Sequence, residues 1–290
     1  LPIYVNFIKE VMKQSRYIQE KELSGLKVAY AGLPGAFSYS AAKRMYPYAN
    51  LVSYPNFESA YLACERGEVD VVILPIENSS AGDVGVVMDL LFSGNLKINR
   101  VEEIEVVQNL LGIKGASRHD IKKVISHKQA LDQSIDFINR NNMEIVESVN
   151  TAVAAKRVQE LNDKSIGAIA SLEAAELYDL EVIDTHINTT NTNTTRFVAL
   201  SQVERLPDPN KKMGEHFVLV YTVKNNAGAL AETLNIIGAH SFNMRNLKSR
   251  PNKDLLWNYY FFVEIEGNVN TIDGKELLHQ LSTVCDRLKP

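Results

Sequence analysis

Val71-Val72-Ile73-Leu74 is a continuous apolar run, the pattern of a strand buried on both faces. Around it, short apolar stretches alternate with amphipathic ones. Val28–Tyr30, Leu51–Tyr54 and Asp70–Ile76 read as strands, and Phe37–Tyr46, Phe57–Arg66 and Val86–Phe92 as helices, with a polar loop over Glu77–Gly85. Strand, helix, strand, helix in this order predicts a parallel α/β sheet. Residues 96–113 break the alternation and read as an extended passage into a second lobe. There it resumes, with strands at Val124–Ser126, Glu144–Val149, Ile166–Ala170 and Val182–Ile183. Helices at Ala130–Asn139, Ala152–Leu161 and Leu172–Tyr178 separate them. A polar loop then leads into Arg196–Leu200, an apolar strand that returns to the first lobe. Two α/β lobes joined by crossovers enclose a cleft, and such sheets bind ligands at their strand carboxyl ends.

Both ends of the chain follow other patterns. Over residues 3–22, Phe7, Ile8, Val11, Met12 and Ile18 recur at helical spacing, so residues 1–24 read as one amphipathic helix whose stripe needs a covering surface. Residues 204–215 contain Pro207, Pro209 and charges, the composition of a linker. From residue 216 the order is strand His216–Val223, helix Ala229–Gly238, strands Asn243–Ser249 and Trp257–Glu266, helix Thr271–Val284. That βαββα order predicts a ferredoxin-like unit over 216–290. Its last strand would start near Leu288, close to Pro290, which leaves the pattern incomplete.

Composition narrows the chemistry. The chain has 45% hydrophobic and 23% charged residues and a net charge of −4, so no basic surface points to nucleic acid or anionic membranes. No apolar run approaches the ~20 residues of a membrane span, and no export-signal pattern is visible. Cys64 and Cys285 lie far apart in helical patterns and read as reduced, packed thiols of a cytoplasmic protein. The six histidines show no metal-ligand spacing, and there is no G-x-S-x-G elbow. Gly32-Leu33-Pro34-Gly35 is neither a dinucleotide fingerprint nor a P-loop. Neither a metal nor a nucleotide cofactor is expected.

What stands out is the polarity of the strand ends: Gly35–Ser38, Glu77–Ser80, Ser126–Gln129, Asn150-Thr151, Ser171, and the loop Asn188–Arg196. Each alone is an ordinary cap or turn. Together, on one rim, their hydroxyls and free helix-start amides make an anion-binding cleft. A non-catalytic binding protein would carry the same set. Glu77, at the end of a buried strand, is a candidate acid or an anchor for its own loop. His127 is a cleft residue or a structural histidine.

These segments, in this order, resemble the motifs of prephenate dehydratase. Val28–Ser38, Pro75–Val84, Ser126–Ala130, Thr151–Ala155 and Asn193–Phe197 carry the likeness across residues 26–200. At Lys128 the family usually has proline. The C-terminal unit resembles that family's ACT regulatory domain through Gly228-Ala229-Leu230 and Lys248-Ser249-Arg250-Pro251, with Lys248 where glutamate is usual. The N-terminal helix resembles the last helix of a chorismate mutase domain, which implies a piece of a bifunctional enzyme without mutase activity of its own.

The resemblance implies a two-lobed catalytic domain of the periplasmic-binding-protein type II kind over residues 25–203. Its lobes would be 26–100 with 185–203, and 101–184. It implies cofactor-free, decarboxylating dehydration of prephenate to phenylpyruvate for phenylalanine biosynthesis. By analogy Thr195 hydrogen-bonds or protonates the departing hydroxyl, with Glu77 the runner-up donor. Arg196 pairs a carboxylate or clamps the lobes, and Phe197 shapes the hinge, covers the ring or fills the core. Ser38, Asn78, Ser79, Thr151, Ser171 and Asn193 would bind substrate. Phenylalanine would bind at Gly228, Ala229, Leu230, Ser249, Arg250 and Pro251 as an allosteric ligand, in a homodimer or homotetramer. Arogenate is the competing substrate. The rival from another class is a small-anion binder fused to an amino-acid sensor.

Overall fold

The computed structural model describes residues 25–190, 193–203, 216–252 and 258–290. The expected helix over 3–22, the linker 204–215, Asn191, Thr192 and the strand start at Trp257 lie outside the described residues. Contacts divide the chain into two units. One runs to Val87 and resumes over Arg100–Gln202; the other comprises Met88–Asn99 and the chain from Val203 on.

The first lobe begins with β1 (Lys27–Ala31), α1 (Phe37–Met45), β2 (Asn50–Tyr54), α2 (Phe57–Glu65) and β3 (Val71–Asn78). A two-residue strand, β4 (Gly82–Asp83), then α3 (Gly85–Ser93) and β5 (Lys97–Glu105) follow. The second lobe holds β6 (Asn109–Gly112), β7 (Lys123–His127), α4 (Lys128–Gln133), α5 (Ile135–Arg140), β8 (Glu144–Ser148) and α6 (Thr151–Leu161). It closes with β9 (Ile166–Ala170), α7 (Leu172–Leu177) and β10 (Glu181–Asp184), after which β11 (Thr194–Ser201) rejoins the first lobe. The two sheets run β2-β1-β3-β11-β5, with β4 on β3, and β10-β6-β9-β7-β8.

The expected parallel order holds for β2-β1-β3 and for β8-β7-β9. The strands reached without an intervening helix run the other way: β11 lies antiparallel to β3, and β6 antiparallel to both β9 and β10. The second lobe shows why its strands are apolar throughout. Leu111, Ile125 and Ala168 pack with Ala154, Ala155 and Val158 of α6 on one side of the sheet. Their neighbours Leu110, Val124 and Ile169 pack with Leu131, Ile138 and Ile187 on the other. Strand alternation sends consecutive residues to opposite faces, and both faces are covered. In the first lobe, Val28, Tyr30, Ile73 and Phe197 enclose the apolar side of α1, Ala41, Ala42 and Met45.

Two expected elements differ. The stretch Glu77–Gly85 is not all loop: β3 continues to Asn78 and pairs with β4. Asn78 Oδ1 accepts from Ser80 N at 3.0 Å and Ala81 N at 2.9 Å, which closes the turn. The single helix expected over Ala130–Asn139 breaks at Ser134, whose φ −116 and ψ 15 leave the helical region. Thr189 occupies the break, donating its N–H to Gln133 O at 2.7 Å and accepting from Asp136 N at 3.4 Å.

The second unit contains β12 (His216–Val223), α8 (Ala229–Ala239), β13 (Met244–Pro251), β14 (Tyr259–Glu266), α9 (Ile272–Val284) and β15 (Cys285–Lys289). The sheet is antiparallel in the order β13-β14-β12-β15. Leu219, Tyr221, Val263 and Ile265 pack on Ile237, Leu277 and Leu281 of the two helices. The last strand, expected to be incomplete, is present. It starts at Cys285, the C-cap of α9, so no residue is spent on a loop. Within the same unit Phe92 stacks on Tyr260, centroids 4.3 Å apart, and Lys289 Nζ caps α3 by donating to Leu91 O and Gly94 O. No described helix is long and apolar enough to cross a membrane.

Candidate functional site

A cavity of about 490 Å³ opens among the strand ends of the two lobes. That size falls in the roughly 300–1,000 Å³ range of small-molecule sites. The first lobe contributes Ser38 at the start of α1, Asn78 and Asp83 from the β3–β4 turn, and Thr195 and Phe197 from β11. The second contributes His127, Gln129 and Gln133, and Asn150 with Thr151 at the start of α6. Val106 and Gln108 line it from the crossing segment.

Among the described residues Asp83 and His127 are the only ionisable ones that line the cavity, and no lysine or arginine does. An anion here would be held by neutral donors. Helix α1 suits this: its N-cap, Ala36, has no side-chain cap bond, so the first-turn amides keep their donor capacity.

Thr195 sits at the centre of a directed hydrogen-bond network. Asn78 Nδ2 donates to Thr195 Oγ1 at 2.8 Å and to Asn193 Oδ1 at 2.9 Å, and all three residues are buried. Asn193 also anchors the crossing: its carbonyl accepts from Val106 N at 2.8 Å, and its Nδ2 donates to Val106 O at 3.5 Å. Asn188 repeats the device, donating to Val106 O at 2.9 Å and accepting from Gln108 N at 2.8 Å. Two asparagines of the polar loop thus tie together the two segments that run between the lobes.

Strand alternation sorts the remaining candidates. Thr195 and Asn78 are cross-strand partners, and so are Arg196 and Glu77 one residue on, facing away. Arg196 lies 3.7 Å from Glu77 and 3.2 Å from Glu103, and neither Arg196 nor Glu77 lines the cavity. Its placement is that of a clamp across β3, β11 and β5. Alternation along β11 returns Phe197 to the cavity side, where it also joins the core, and the register shift beside it is taken up by Ile76 on β3. Ser79 lies outside the cavity, its hydroxyl accepting from Thr194 N at 2.9 Å. Ser171 is an interlobe clasp: it caps α7 through Ala174 N and donates to Gly35 O at 3.0 Å. Tyr178 adds a second clasp, donating to Pro34 O at 3.2 Å, and burial raises its phenol pKa. Thr151 and Ser38 line the cavity as expected.

Gln108 and Gln133 were not anticipated, and Asn188 and Thr189 were counted only as part of the polar loop. Gln108 had a signal: a polar residue inside the apolar run Val106–Ile113. It is 1% exposed, donates to Gln133 Oε1 at 3.1 Å, and its own Oε1 is buried without a partner among the described residues. No metal-binding cluster occurs among the described residues.

In the second unit a smaller cavity of about 120 Å³ is lined by Asn226, Ala229, Leu230 and Tyr259, among others. Gly228 precedes it at φ +87, a left-handed N-cap for α8. Ser249, Arg250 and Pro251 do not line it; they lie along β13.

The family model described as prephenate dehydratase matches residues 28–205. The chain is 32% identical over 245 residues to "Arogenate dehydratase/prephenate dehydratase 1, chloroplastic" of Arabidopsis thaliana, covering 84% of this chain and 62% of that one. It is 32% identical over 263 residues to "Bifunctional chorismate mutase/prephenate dehydratase" of Neisseria gonorrhoeae, covering 90% and 70%. Among solved structures, prephenate dehydratase of Arthrobacter aurescens in complex with L-Phe is 24% identical with TM-score 0.82, covering 91% and 88%. A protein described as GqqA, a novel type of quorum quenching acylase, is 29% identical with TM-score 0.82, covering 91% and 95%. The chain thus spans 62% of the length of the Arabidopsis relative.

Proposed function

Because the chain belongs to the prephenate dehydratase family, we propose that it catalyses the decarboxylating dehydration of prephenate to phenylpyruvate in L-phenylalanine biosynthesis. The bond from the ring to its carboxylate breaks, and its electron pair enters the ring. The ring electrons then expel the para hydroxyl, giving carbon dioxide, hydroxide and an aromatic ring. Aromatisation supplies the driving force, so the protein has only to hold the substrate and stabilise the oxygen that leaves. The observation that carries the reading is Thr195: its hydroxyl lines the cavity and has no acceptor for its own hydrogen among the described residues. A donor aimed at a departing oxygen is typically worth about 3 kcal/mol or more of barrier. Ser38 with the start of α1, and Thr151 with the start of α6, are the proposed carboxylate sites.

The test is turnover of prephenate and of arogenate by the chain and by Thr195→Ala. We expect prephenate turnover, and a kcat at least about a hundredfold lower in the variant. Near-normal turnover by Thr195→Ala would remove Thr195 from the mechanism. Faster turnover of arogenate would reassign the substrate within the family. Acyl transfer, named for one structural neighbour, is disfavoured because Thr195 is paired with the amide of Asn78, which cannot take a proton as a base does.

We further propose residues 25–203 as the catalytic domain, 204–215 as a linker and 216–290 as an ACT regulatory domain that binds phenylalanine. The βαββαβ topology and the cavity beside Ala229 and Leu230 support this. Calorimetry that finds no heat of phenylalanine binding would count against it. A cytoplasmic homodimer or homotetramer is part of the same proposal.

A further inference from the structure

The two carboxamides of Asn78 and Asn193 decide where the hydrogen of Thr195 points. At Asn78 the assignment of oxygen and nitrogen follows from the backbone. Ser80 N and Ala81 N can only donate, and both point at the same side-chain atom, at 3.0 and 2.9 Å. That atom must be Oδ1, so Nδ2 faces the other way, towards Asn193 and Thr195. An amide nitrogen has two hydrogens and no acceptor capacity. One hydrogen goes to Asn193 Oδ1 at 2.9 Å and the other to Thr195 Oγ1 at 2.8 Å, both far closer than Thr194 O at 3.4 Å. Asn193 is held in the matching orientation, since its own nitrogen faces Val106 O.

Thr195 Oγ1 is therefore an acceptor in this bond, and its hydrogen is turned away from Asn78. The residue is buried on its strand and meets open space only at the cavity. We propose that Asn78 is a positioning residue: it holds the Thr195 hydroxyl as a donor aimed into the cleft, and Asn193 fixes Asn78 from the interlobe crossing. This rests on the reading of Thr195 as the donor to the leaving oxygen. It adds that the donor is set in direction before substrate arrives, so no hydroxyl rotation is needed in the transition state. The donated bond also leaves Thr195 Oγ1 less electron-rich, and so a better donor. Asn78 thereby moves from the substrate-binding set to the support of the catalytic residue.

The test is a double-mutant cycle on prephenate turnover. Asn78→Asp keeps the side-chain shape and an oxygen for Ser80 N and Ala81 N. It replaces the donor facing Thr195 by an acceptor, which draws the threonine hydrogen out of the cleft. Thr195→Val keeps the shape of threonine and removes the hydroxyl. The expected result is a kcat about a hundredfold lower for Asn78→Asp, with a further loss of under about threefold when it is added to Thr195→Val. Thr195→Ser, which keeps a hydroxyl in reach of Asn78, should recover much of the kcat that Thr195→Val loses. If Asn78→Asp does not fold, as judged by circular dichroism, the cycle is run with Asn78→Ala, with the same lack of additivity expected. The proposal is overturned if the variant at 78 keeps wild-type kcat, or if its loss is as large without the Thr195 hydroxyl as with it. Failure of the catalytic reading is distinct: there Thr195→Val itself turns over normally, whatever Asn78 does. Absence of turnover by the unmodified chain on prephenate and arogenate alike would overturn both.

Discussion

Arg250 Nε lies 3.2 Å from Asp89 Oδ1, and Tyr260 donates its hydroxyl to that same oxygen at 2.8 Å. All three belong to the second unit. Burial works against the Arg250 charge and is the largest single influence, but Asp89 and Tyr260 together outweigh it and the guanidinium pKa is raised. The Tyr260 phenol is pushed up as well, first by burial and then by the Asp89 carboxylate. Asp89→Ala would leave a guanidinium and a phenol partly buried without their acceptor, at a cost of about 1–3 kcal/mol. The urea midpoint should fall accordingly, and Arg250→Ala should cost less in the Asp89→Ala background than alone. Equal costs in both backgrounds would show the pair to be energetically idle.

Arg196 offers a separation of roles. Its guanidinium is held between Glu77 and Glu103, away from the cavity. Arg196→Gln removes the charge that two carboxylates, on the strands either side of β11, share, and stability should fall more than catalysis. The prephenate KM should change by less than about threefold, because no contact to the ligand is lost. A KM raised a hundredfold would instead mean that Arg196 leaves Glu77 when substrate binds and pairs a carboxylate, worth close to 3 kcal/mol.

These placements show where the sequence could be read and where it could not. The two lobes were legible because each apolar run is buried on both faces, as Leu110 and Leu111 are. The polar strand ends were legible as a rim, and Thr195, Ser38 and Thr151 lie on it. Which face of β11 takes Thr195 and Phe197 and which takes Arg196 was not legible, because alternation fixes only that the two faces differ, and the pairing with Asn78 and Glu77 decides which is which. Ser171 was read as a ligand because an N-cap serine and an interlobe clasp look alike until Gly35 O is brought beside it. The ties made by Asn188 and Thr189 were hidden for the same reason, since their partners, Val106 and Gln133, are distant in sequence.

The Gly35 position carries its own prediction. Gly35 has φ +87, and a Cβ there would stand 3.1 Å from Ala174 Cα, a backbone atom across the lobe boundary. Gly35→Ala therefore meets two costs, a left-handed backbone and a contact that no side-chain rotation relieves. A strained left-handed residue costs on the order of 1–3 kcal/mol. The Ser171–Gly35 bond should weaken with it, so kcat/KM should drop together with stability. A variant of wild-type stability would mean that the lobes part at this point without cost.

The two thiols make stability sensitive to alkali. Cys64 is fully buried, and burial, with the charges of Asp70 and Glu65, pushes its thiol from an ordinary value of 9.0 up to about 12. Burial and Asp286 push the Cys285 thiol up to about 11. The folded chain then keeps protons that the unfolded chain loses from about pH 9 upward. Stability should be complete below that pH and fall as the pH climbs towards 11 and 12, because ionisation favours the unfolded state. The buried tyrosine phenols, also raised, add increasingly to the fall as the pH approaches about 10, so the thiol share is read from the difference between the wild-type chain and Cys64→Ala. The urea midpoint should decline from about pH 9 to 10 in the wild-type chain and decline less in Cys64→Ala. The same burial should keep Cys64 unreactive towards a thiol reagent at pH 8 until urea is added. Rapid native-state labelling of Cys64, or a midpoint flat from pH 9 to 10, would show that its thiol reaches solvent without unfolding.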